Sequence, residues 1–290
     1  MIFFSKNSRL RWDMPIILKV LSLLLMFSAC TNYFLLPDRF HYSDPRNESH
    51  LEYEDIYFAS LENLKLHAQL IKDKSARKGL MVFFHGNAEN LSSHYLNFSW
   101  IPPEGYDYLI VDWRGYGRSW GEAQVEGAIS DSIKALELAW ELKEKRGYKK
   151  FIVYGQSMGG AIVAKALSAF KMTEKINLLV LDSTFYDYKK IAFDALSGHF
   201  MTFLFSPLSY VLVTNEYSPE NELKHLSIPI LVVHGTSDQT IPFKHGKDVF
   251  GQLGTAKKWF WEIEGGNHID IFMRHDGKYR KQFLELLETI

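Results

Sequence analysis

Short apolar runs separated by polar or helix-like segments give the chain an alternating pattern. Five runs of four or five residues predict strands that are covered on both faces: 80–84, 108–111, 151–154, 178–181 and 230–233. A leading hairpin is predicted over 53–59 and 64–71, and a last strand over 259–263. Helical spacing over 129–142 and 279–290 predicts helices. Strands that alternate with helices predict an α/β domain with a mostly parallel sheet and right-handed crossovers.

The segment around Ser157 carries the first chemical signal. Residues 155–159, Gly-Gln-Ser-Met-Gly, stand between the apolar run at 151–154 and an alanine-rich segment with helical periodicity. A G-x-S-x-G turn between a strand and a helix is typical of a nucleophile elbow, whose strained serine exposes its hydroxyl. Ser157 is therefore the candidate nucleophile, and the backbone N–H of Met158 is the first candidate oxyanion donor.

Two later loops supply candidates for a base and an acid. Asp238 follows the run at 230–233, and His268 follows the last predicted strand. The chain order of nucleophile, acid and histidine is the one expected for this kind of elbow. Both residues come after the carboxyl ends of strands, where sites form in parallel sheets. We therefore predict a triad of Ser157, Asp238 and His268, with Asp182 as the competing acid.

The loop after the run at 80–84 is predicted to supply the second oxyanion donor. It reads His85-Gly86-Asn87-Ala88, and the backbone N–H of Asn87 is the candidate. We interpret His85, and also His234 after a later strand, as structural residues.

A long insertion at about 184–226 breaks the alternation of strands and helices. It is crowded with aromatic residues: Phe185, Tyr186, Tyr188, Phe193, Phe200, Phe203, Phe205 and Tyr210. A simple crossover needs far fewer residues. We therefore predict a small helical cap that gives the site an apolar wall for a small-molecule or lipid-like acyl substrate. Alternatively, these aromatics attach the insertion to the domain or contact a membrane.

The N-terminus predicts a targeting signal. Basic residues at 6, 9 and 11 precede an apolar run over 20–27, two small residues and the only cysteine, Cys30. This order resembles a bacterial lipoprotein signal, which implies cleavage before Cys30 and a lipid on its thiol. We therefore expect a membrane-attached protein of the bacterial cell envelope, with the outer membrane favoured. An uncleaved anchor and a plain secretory signal are the alternatives.

The composition of the chain limits the kinds of partner and cofactor that we expect. A formal net charge of −1 gives no electrostatic reason to expect a nucleic acid partner. One cysteine excludes an intramolecular disulfide and a Cys-rich metal site, and the 11 histidines lack metal-binding spacing. We expect no metal and no other cofactor.

Taken together, the motifs resemble the α/β-hydrolase superfamily, and more narrowly the Bem46/ABHD13-type and ABHD17-type serine hydrolases. The resemblance covers about 53–290 and rests on the turns at 85–88, 112–117 and 155–160 and on the Asp238 and His268 loops. It implies an eight-stranded, mostly parallel sheet and acyl-enzyme chemistry.

The sequence thus predicts a signal over 1–29, a tether over 30–52 and the hydrolase domain over 53–290. The predicted function is cleavage of carboxylic esters or thioesters by a serine hydrolase. A peptidase or amidase of the same fold and a catalytically inactive binding module of the envelope are the alternatives.

Overall fold

The computed structural model describes residues 30–44, 51–73, 77–198, 200–274 and 277–290. The predicted signal over 1–29 and the side chain of Cys30 lie outside what it describes. Within the described ranges, no helix is long and apolar enough to cross a membrane.

Eight strands form one sheet. They are β1 Glu52–Ala59, β2 Lys65–Lys72, β3 Gly79–Phe84, β4 Tyr106–Asp112, β5 Lys150–Gln156, β6 Leu178–Asp182, β7 Ile230–Gly235 and β8 Lys258–Ile263. Their order across the sheet is β1-β2-β4-β3-β5-β6-β7-β8. β2 is antiparallel to both of its neighbours, and every other pair is parallel. The predicted eight-stranded, mostly parallel sheet is confirmed.

Alternate residues of the central strands pack against helices on opposite faces of the sheet. The helices are α1 Leu91–His94, α2 Val125–Arg146, α3 Met158–Ala166, α4 Tyr188–Ser197, α5 Ser209–Leu212, α6 Glu220–His225, α7 Lys244–Gln252 and α8 Lys278–Thr289. Val82 and Phe84 of β3 share a core with α2 and α3. Met81 and Phe83 share the other core with α8. A strand that is covered on both faces must be apolar throughout, which explains the continuous runs in the sequence.

The insertion after β6 forms the predicted helical cap. It contains α4, α5, α6 and a 3-10 helix at Phe203–Leu208. Its aromatic residues divide into two groups. Phe185 and Tyr188 are buried, whereas Phe200, Phe203 and Phe205 are exposed. The buried Phe185 and Tyr188 therefore help to attach the cap to the domain.

Residues 30–38 lie on the domain, which differs from the tether predicted over 30–52. A 3-10 helix at Cys30–Phe34 is followed by a two-residue strand, Leu36–Pro37, which pairs in parallel with Ala88–Glu89. The side-chain oxygen of Asn32 accepts a hydrogen bond of 3.0 Å from the N–H of the first residue of α2. We call residues 30–38 the N-terminal segment.

A buried ion pair joins the loop after β4 to α2. Arg114 donates to the Asp131 carboxylate from Nε at 3.0 Å and from Nη2 at 2.7 Å. Its backbone N–H donates a third hydrogen bond of 2.8 Å. Burial raises the pKa of Asp131, and the hydrogen bonds from Arg114 oppose that shift. The pair therefore fixes the 112–117 turn against α2.

We expect Asp131→Ala to lower the free energy of unfolding by about 3–5 kcal/mol, because Arg114 would lose its buried partner. Urea unfolding followed by circular dichroism measures the change. The control is Glu62→Ala, which removes an exposed partner of the same guanidinium at 2.7 Å. That variant should lose about 1 kcal/mol or less. Equal losses in the two variants would contradict the prediction.

Candidate active site

Ser157 lies in the turn between β5 and α3, in a strained conformation. Its backbone angles are φ 55° and ψ −126°, and a left-handed conformation of this kind costs a residue other than glycine about 1–3 kcal/mol. Two hydrogen bonds hold it. The N–H of Ser157 donates to the carbonyl of Asp182 at 2.8 Å. The carbonyl of Ser157 accepts from the Thr184 hydroxyl at 2.6 Å. The serine side chain is thereby fixed at the carboxyl edge of the sheet.

Close backbone contacts explain the glycines around Ser157. A Cβ at Gly159 would lie 2.3 Å from the carbonyl oxygens of Phe84 and His85. A Cβ at Gly155 would lie 2.6 Å from the Cα of Gly160. Both distances are far below van der Waals contact, so the G-x-S-x-G pattern is a steric requirement of this turn.

His268 joins Ser157 to Asp238. Its Nε2 lies 3.1 Å from Oγ of Ser157, and its Nδ1 lies 2.8 Å from Oδ2 of Asp238. With the proton on Nδ1, that nitrogen donates to the carboxylate and Nε2 accepts from the hydroxyl. The structure therefore brings together the three residues that the sequence singled out. Their catalytic roles stay a prediction.

The turn after β7 holds Asp238 in place. Its Oδ1 accepts from the N–H groups of Thr240 and Ile241, both at 2.9 Å, which leaves Oδ2 for His268. His234 donates from Nε2 to the carbonyl of Ile241 at 2.8 Å. Burial lowers the pKa of His234, so its ring is neutral at neutral pH. These contacts favour the structural interpretation of His234.

Asp182 accepts hydrogen bonds from groups other than His268. Its Oδ2 accepts from the Tyr154 hydroxyl at 2.8 Å, and its Oδ1 accepts from the Ser183 hydroxyl at 3.0 Å. Burial raises the pKa of Asp182. The imidazole Nδ1 of His268 bonds Asp238 instead. The geometry thus favours Asp238 over Asp182 as the acid of the triad.

The two predicted oxyanion donors belong to the segments that flank Ser157. Met158 is the first residue of α3, so its N–H precedes the hydrogen-bond ladder of the helix. Asn87 follows Gly86, where a Cβ would lie 3.6 Å from the Cβ of Ser157. The loop after β3 therefore passes beside the serine. Which N–H groups bind an oxyanion stays a prediction.

Two contacts that the sequence did not reveal fix Asn87. Its side-chain amide donates to the carbonyl of Phe34 at 2.7 Å. Its backbone carbonyl accepts from the Tyr116 hydroxyl at 2.7 Å. Tyr116 belongs to the 112–117 turn, which is one of the motifs of the sequence, whereas no motif marks Phe34.

Two stacked histidines lie behind this loop. The rings of His85 and His94 are 4.9 Å apart and inclined by 14°. His85 donates from Nδ1 to the carbonyl of Gly86 at 2.8 Å, and His94 donates from Nε2 to the carbonyl of Ala88 at 3.1 Å. Burial lowers the pKa of His94 to about 4, so this ring is neutral at neutral pH. The contacts of His85 favour the structural role predicted for it. His94 also supports the loop after β3, although no sequence motif marks it.

Several known proteins are similar to this chain in sequence. Residues 75–220 match the family model Hydrolase_4, described as serine aminopeptidase, S33. The chain is 31% identical over 232 residues to protein bem46 of Schizosaccharomyces pombe, which covers 77% of this chain and 73% of the relative. It is 28% identical over 284 residues to the uncharacterized protein YfhR of Escherichia coli, with coverage of 93% and 94%.

Solved structures show the same fold. An esterase from Pyrococcus furiosus superimposes with a TM-score of 0.70 at 19% sequence identity, over 88% of this chain and 98% of the esterase. At this level of identity, the similarity shows the fold but does not identify the reaction.

Proposed function

The chain belongs to the bem46-like α/β-hydrolases, and we propose that it is a serine hydrolase that cleaves carboxylic esters or thioesters. One observation supports this most directly. A single imidazole, His268, contacts both the hydroxyl of Ser157 and the carboxylate of Asp238. A serine held in this way loses its proton to the imidazole as it attacks an acyl carbon.

The proposed reaction has two halves. Oγ of Ser157 attacks the acyl carbonyl while Nε2 of His268 takes its proton, and Asp238 stabilises the imidazolium. The N–H groups of Met158 and Asn87 would bind the oxygen of the tetrahedral intermediate. As the intermediate collapses, His268 gives its proton to the departing alcohol or thiol. Water then attacks the acyl-enzyme by the same steps in the second half and releases the carboxylic acid.

A peptidase or amidase is the second candidate, because the matching family model is described as a serine aminopeptidase. An aminopeptidase must bind the free ammonium group of its substrate beside the nucleophile. The buried carboxylates of this site, Asp182 and Asp238, already accept hydrogen bonds from protein groups. The lack of a free carboxylate among these two favours an ester or thioester as the substrate over a peptide with a free amino group. A catalytically inactive binding module has no physical need for the hydrogen-bonded Ser157, His268 and Asp238.

Mass spectrometry after exposure of the full chain to a fluorophosphonate tests the proposal. We expect one adduct on Ser157 that is absent from His268→Ala, because only a serine activated by the imidazole reacts readily. A folded protein without an adduct would overturn the proposed function. Faster turnover of amino acid p-nitroanilides than of p-nitrophenyl esters would assign the site to amide cleavage instead.

Attachment to the cell envelope is a separate proposal. It is supported by the order of basic region, apolar run and Cys30. Expression of the full chain with a radiolabelled fatty acid should label the wild type but not Cys30→Ser. Equal labelling of the two proteins would refute a lipid on Cys30.

A further inference from the structure

The loop after β3, residues 85–90, passes beside Ser157 and is also paired with the N-terminal segment. We call it the β3 loop. The N–H of Leu36 donates to the carbonyl of Asn87 at 2.9 Å. The side-chain amide of Asn87 donates in turn to the carbonyl of Phe34 at 2.7 Å. The residue that carries the predicted oxyanion donor is therefore held by the N-terminal segment through both its backbone and its side chain.

The far end of the β3 loop is strained. Glu89 has a φ of 65°, in the left-handed region that is unfavourable for a residue with a side chain. Its carbonyl accepts a hydrogen bond of 2.9 Å from the N–H of Asp38. The buried side chain of Asn90 donates to the carbonyls of Asp38 and His41, at 3.1 Å and 2.7 Å. A strained backbone persists only where its surroundings hold it, so these bonds help to maintain the shape of the loop.

The N-terminal segment is also fixed on other parts of the domain. Leu35 is buried in the core that includes α2 and α3. The side chain of Asn32 accepts from the first N–H of α2 at 3.0 Å. The hydroxyl of Thr31 accepts from the N–H of Thr214 in the cap at 3.3 Å. The segment therefore gives the β3 loop a support that is anchored independently of the loop.

We propose that the N-terminal segment positions the predicted oxyanion donor, and that full activity requires the segment to be docked. The inference rests on the proposed function, because the segment acts through the N–H of Asn87. Phe34 and Leu36 are then positioning residues, which hold the donor and do not act on the substrate directly. Loss of one oxyanion donor costs about 10²–10³-fold in rate, and a displacement of about 1 Å can cost about 10²-fold. Weak contacts that hold such a donor therefore have a large effect on turnover.

Removal of a single backbone N–H in the full chain tests the proposal. Leu36→Pro deletes the donor to the carbonyl of Asn87. We expect kcat and kcat/KM for p-nitrophenyl acetate to fall equally, by at least about tenfold, because the affected interaction is made in the transition state. The matched control is Leu36→Ala, which shortens the same exposed side chain but keeps the N–H. It should change neither value by more than about twofold.

Affinity for a transition-state analogue separates positioning from a general loss of structure. A trifluoromethyl ketone bonds through its carbonyl carbon to Oγ of Ser157, the serine proton passes to His268, and the ketone oxygen becomes the oxyanion. The affinity of Leu36→Pro for this ketone should fall by the same factor as kcat/KM. Circular dichroism at the assay temperature shows whether the variant is folded.

Three results with a folded Leu36→Pro protein would overturn the proposal. The first is a wild-type kcat, and the second is an equal loss in Leu36→Pro and Leu36→Ala. The third is a fall in kcat without a fall in the affinity for the ketone.

A second variant decides the case in which Leu36→Pro does not fold. Asn87→Ala keeps every backbone group of the loop and removes the side-chain amide that donates to Phe34. We expect kcat and the affinity for the ketone to fall together by about 2- to 10-fold, which is the contribution of one hydrogen bond. Unchanged values in this variant then overturn the proposal. Failure of the proposed function gives a different result: the wild type itself cleaves no ester, does not bind the ketone and forms no fluorophosphonate adduct.

Discussion

Ser157→Ala is expected to abolish turnover and leave the fold intact. The variant lacks the atom that attacks the acyl carbon, so kcat should fall by roughly 10⁶-fold, as in other serine hydrolases that lose their nucleophile. The backbone bonds of this residue to Asp182 and Thr184 do not involve the hydroxyl. The alanine variant should therefore unfold at the same urea concentration as the wild type. Steady-state hydrolysis of a p-nitrophenyl ester measures the loss.

Ser168→Ala is the matched control for this experiment. The Ser168 hydroxyl is exposed and donates to the carbonyl of Lys165, one turn earlier. Its removal should leave kcat unchanged. Ester hydrolysis that persists in a purified, folded Ser157→Ala protein would refute the assignment of the nucleophile.

Asp238→Asn is expected to have the second largest effect, a loss in kcat of about 10⁴-fold. An asparagine amide can donate to Nδ1 of His268, which moves the ring proton to Nε2. The imidazole then cannot accept the proton of Ser157. The N–H groups of Thr240 and Ile241 can still bond the remaining amide oxygen, so the turn should keep its shape. Single-turnover kinetics with a p-nitrophenyl ester separates this chemical step from product release.

Asp182→Asn distinguishes the two carboxylates. Asp182 accepts from the Tyr154 and Ser183 hydroxyls rather than from His268. We therefore expect this variant to lose less than about tenfold in kcat, through small shifts of the elbow that it supports. A larger loss in Asp182→Asn than in Asp238→Asn would transfer the role of the acid to Asp182.

The sheet could be predicted from the sequence because its central strands are covered on both faces. The runs at 80–84 and 230–233 had to be apolar throughout, and this pattern is visible in one sequence. The ends of the strands were harder to predict. β5 continues to Gln156 and β6 to Asp182, because backbone pairing extends beyond the last apolar side chain. The polar residues at these strand ends lie at the edge of the sheet where the site is, so they interrupt the apolar pattern of the strands.

Ser157, Asp238 and His268 could be predicted because each lies in the loop or turn after a strand, at one edge of a parallel sheet. The residues that support these three could not be predicted. Phe34 contacts the site through its carbonyl oxygen, which every residue type carries. Thr184 acts through one hydroxyl on a backbone carbonyl. Contacts of this kind leave no spacing or composition in the sequence that a motif could capture.

The N-terminal segment escaped prediction for the same reason. Its attachment includes single hydrogen bonds, such as the one that Asn32 accepts from the N–H of Val125, and a pair of two-residue strands. Pro37 and the polar residues after it gave no periodicity, which favoured a tether. The structure shows that irregular sequence can still lie on the domain when polar side chains find backbone partners.

These attachments also determine when the N-terminal segment can dock during synthesis. The hydroxyl of Thr31 accepts from the N–H of Thr214, 183 positions later, and Asn32 accepts from Val125, 93 positions later. The ribosome makes residues 30–38 early, but Thr214 lies in the cap, so its contact with Thr31 can form only after the cap has been translated. The N-terminal segment can therefore begin to dock on residues 88–125, but it completes its contacts only late in synthesis.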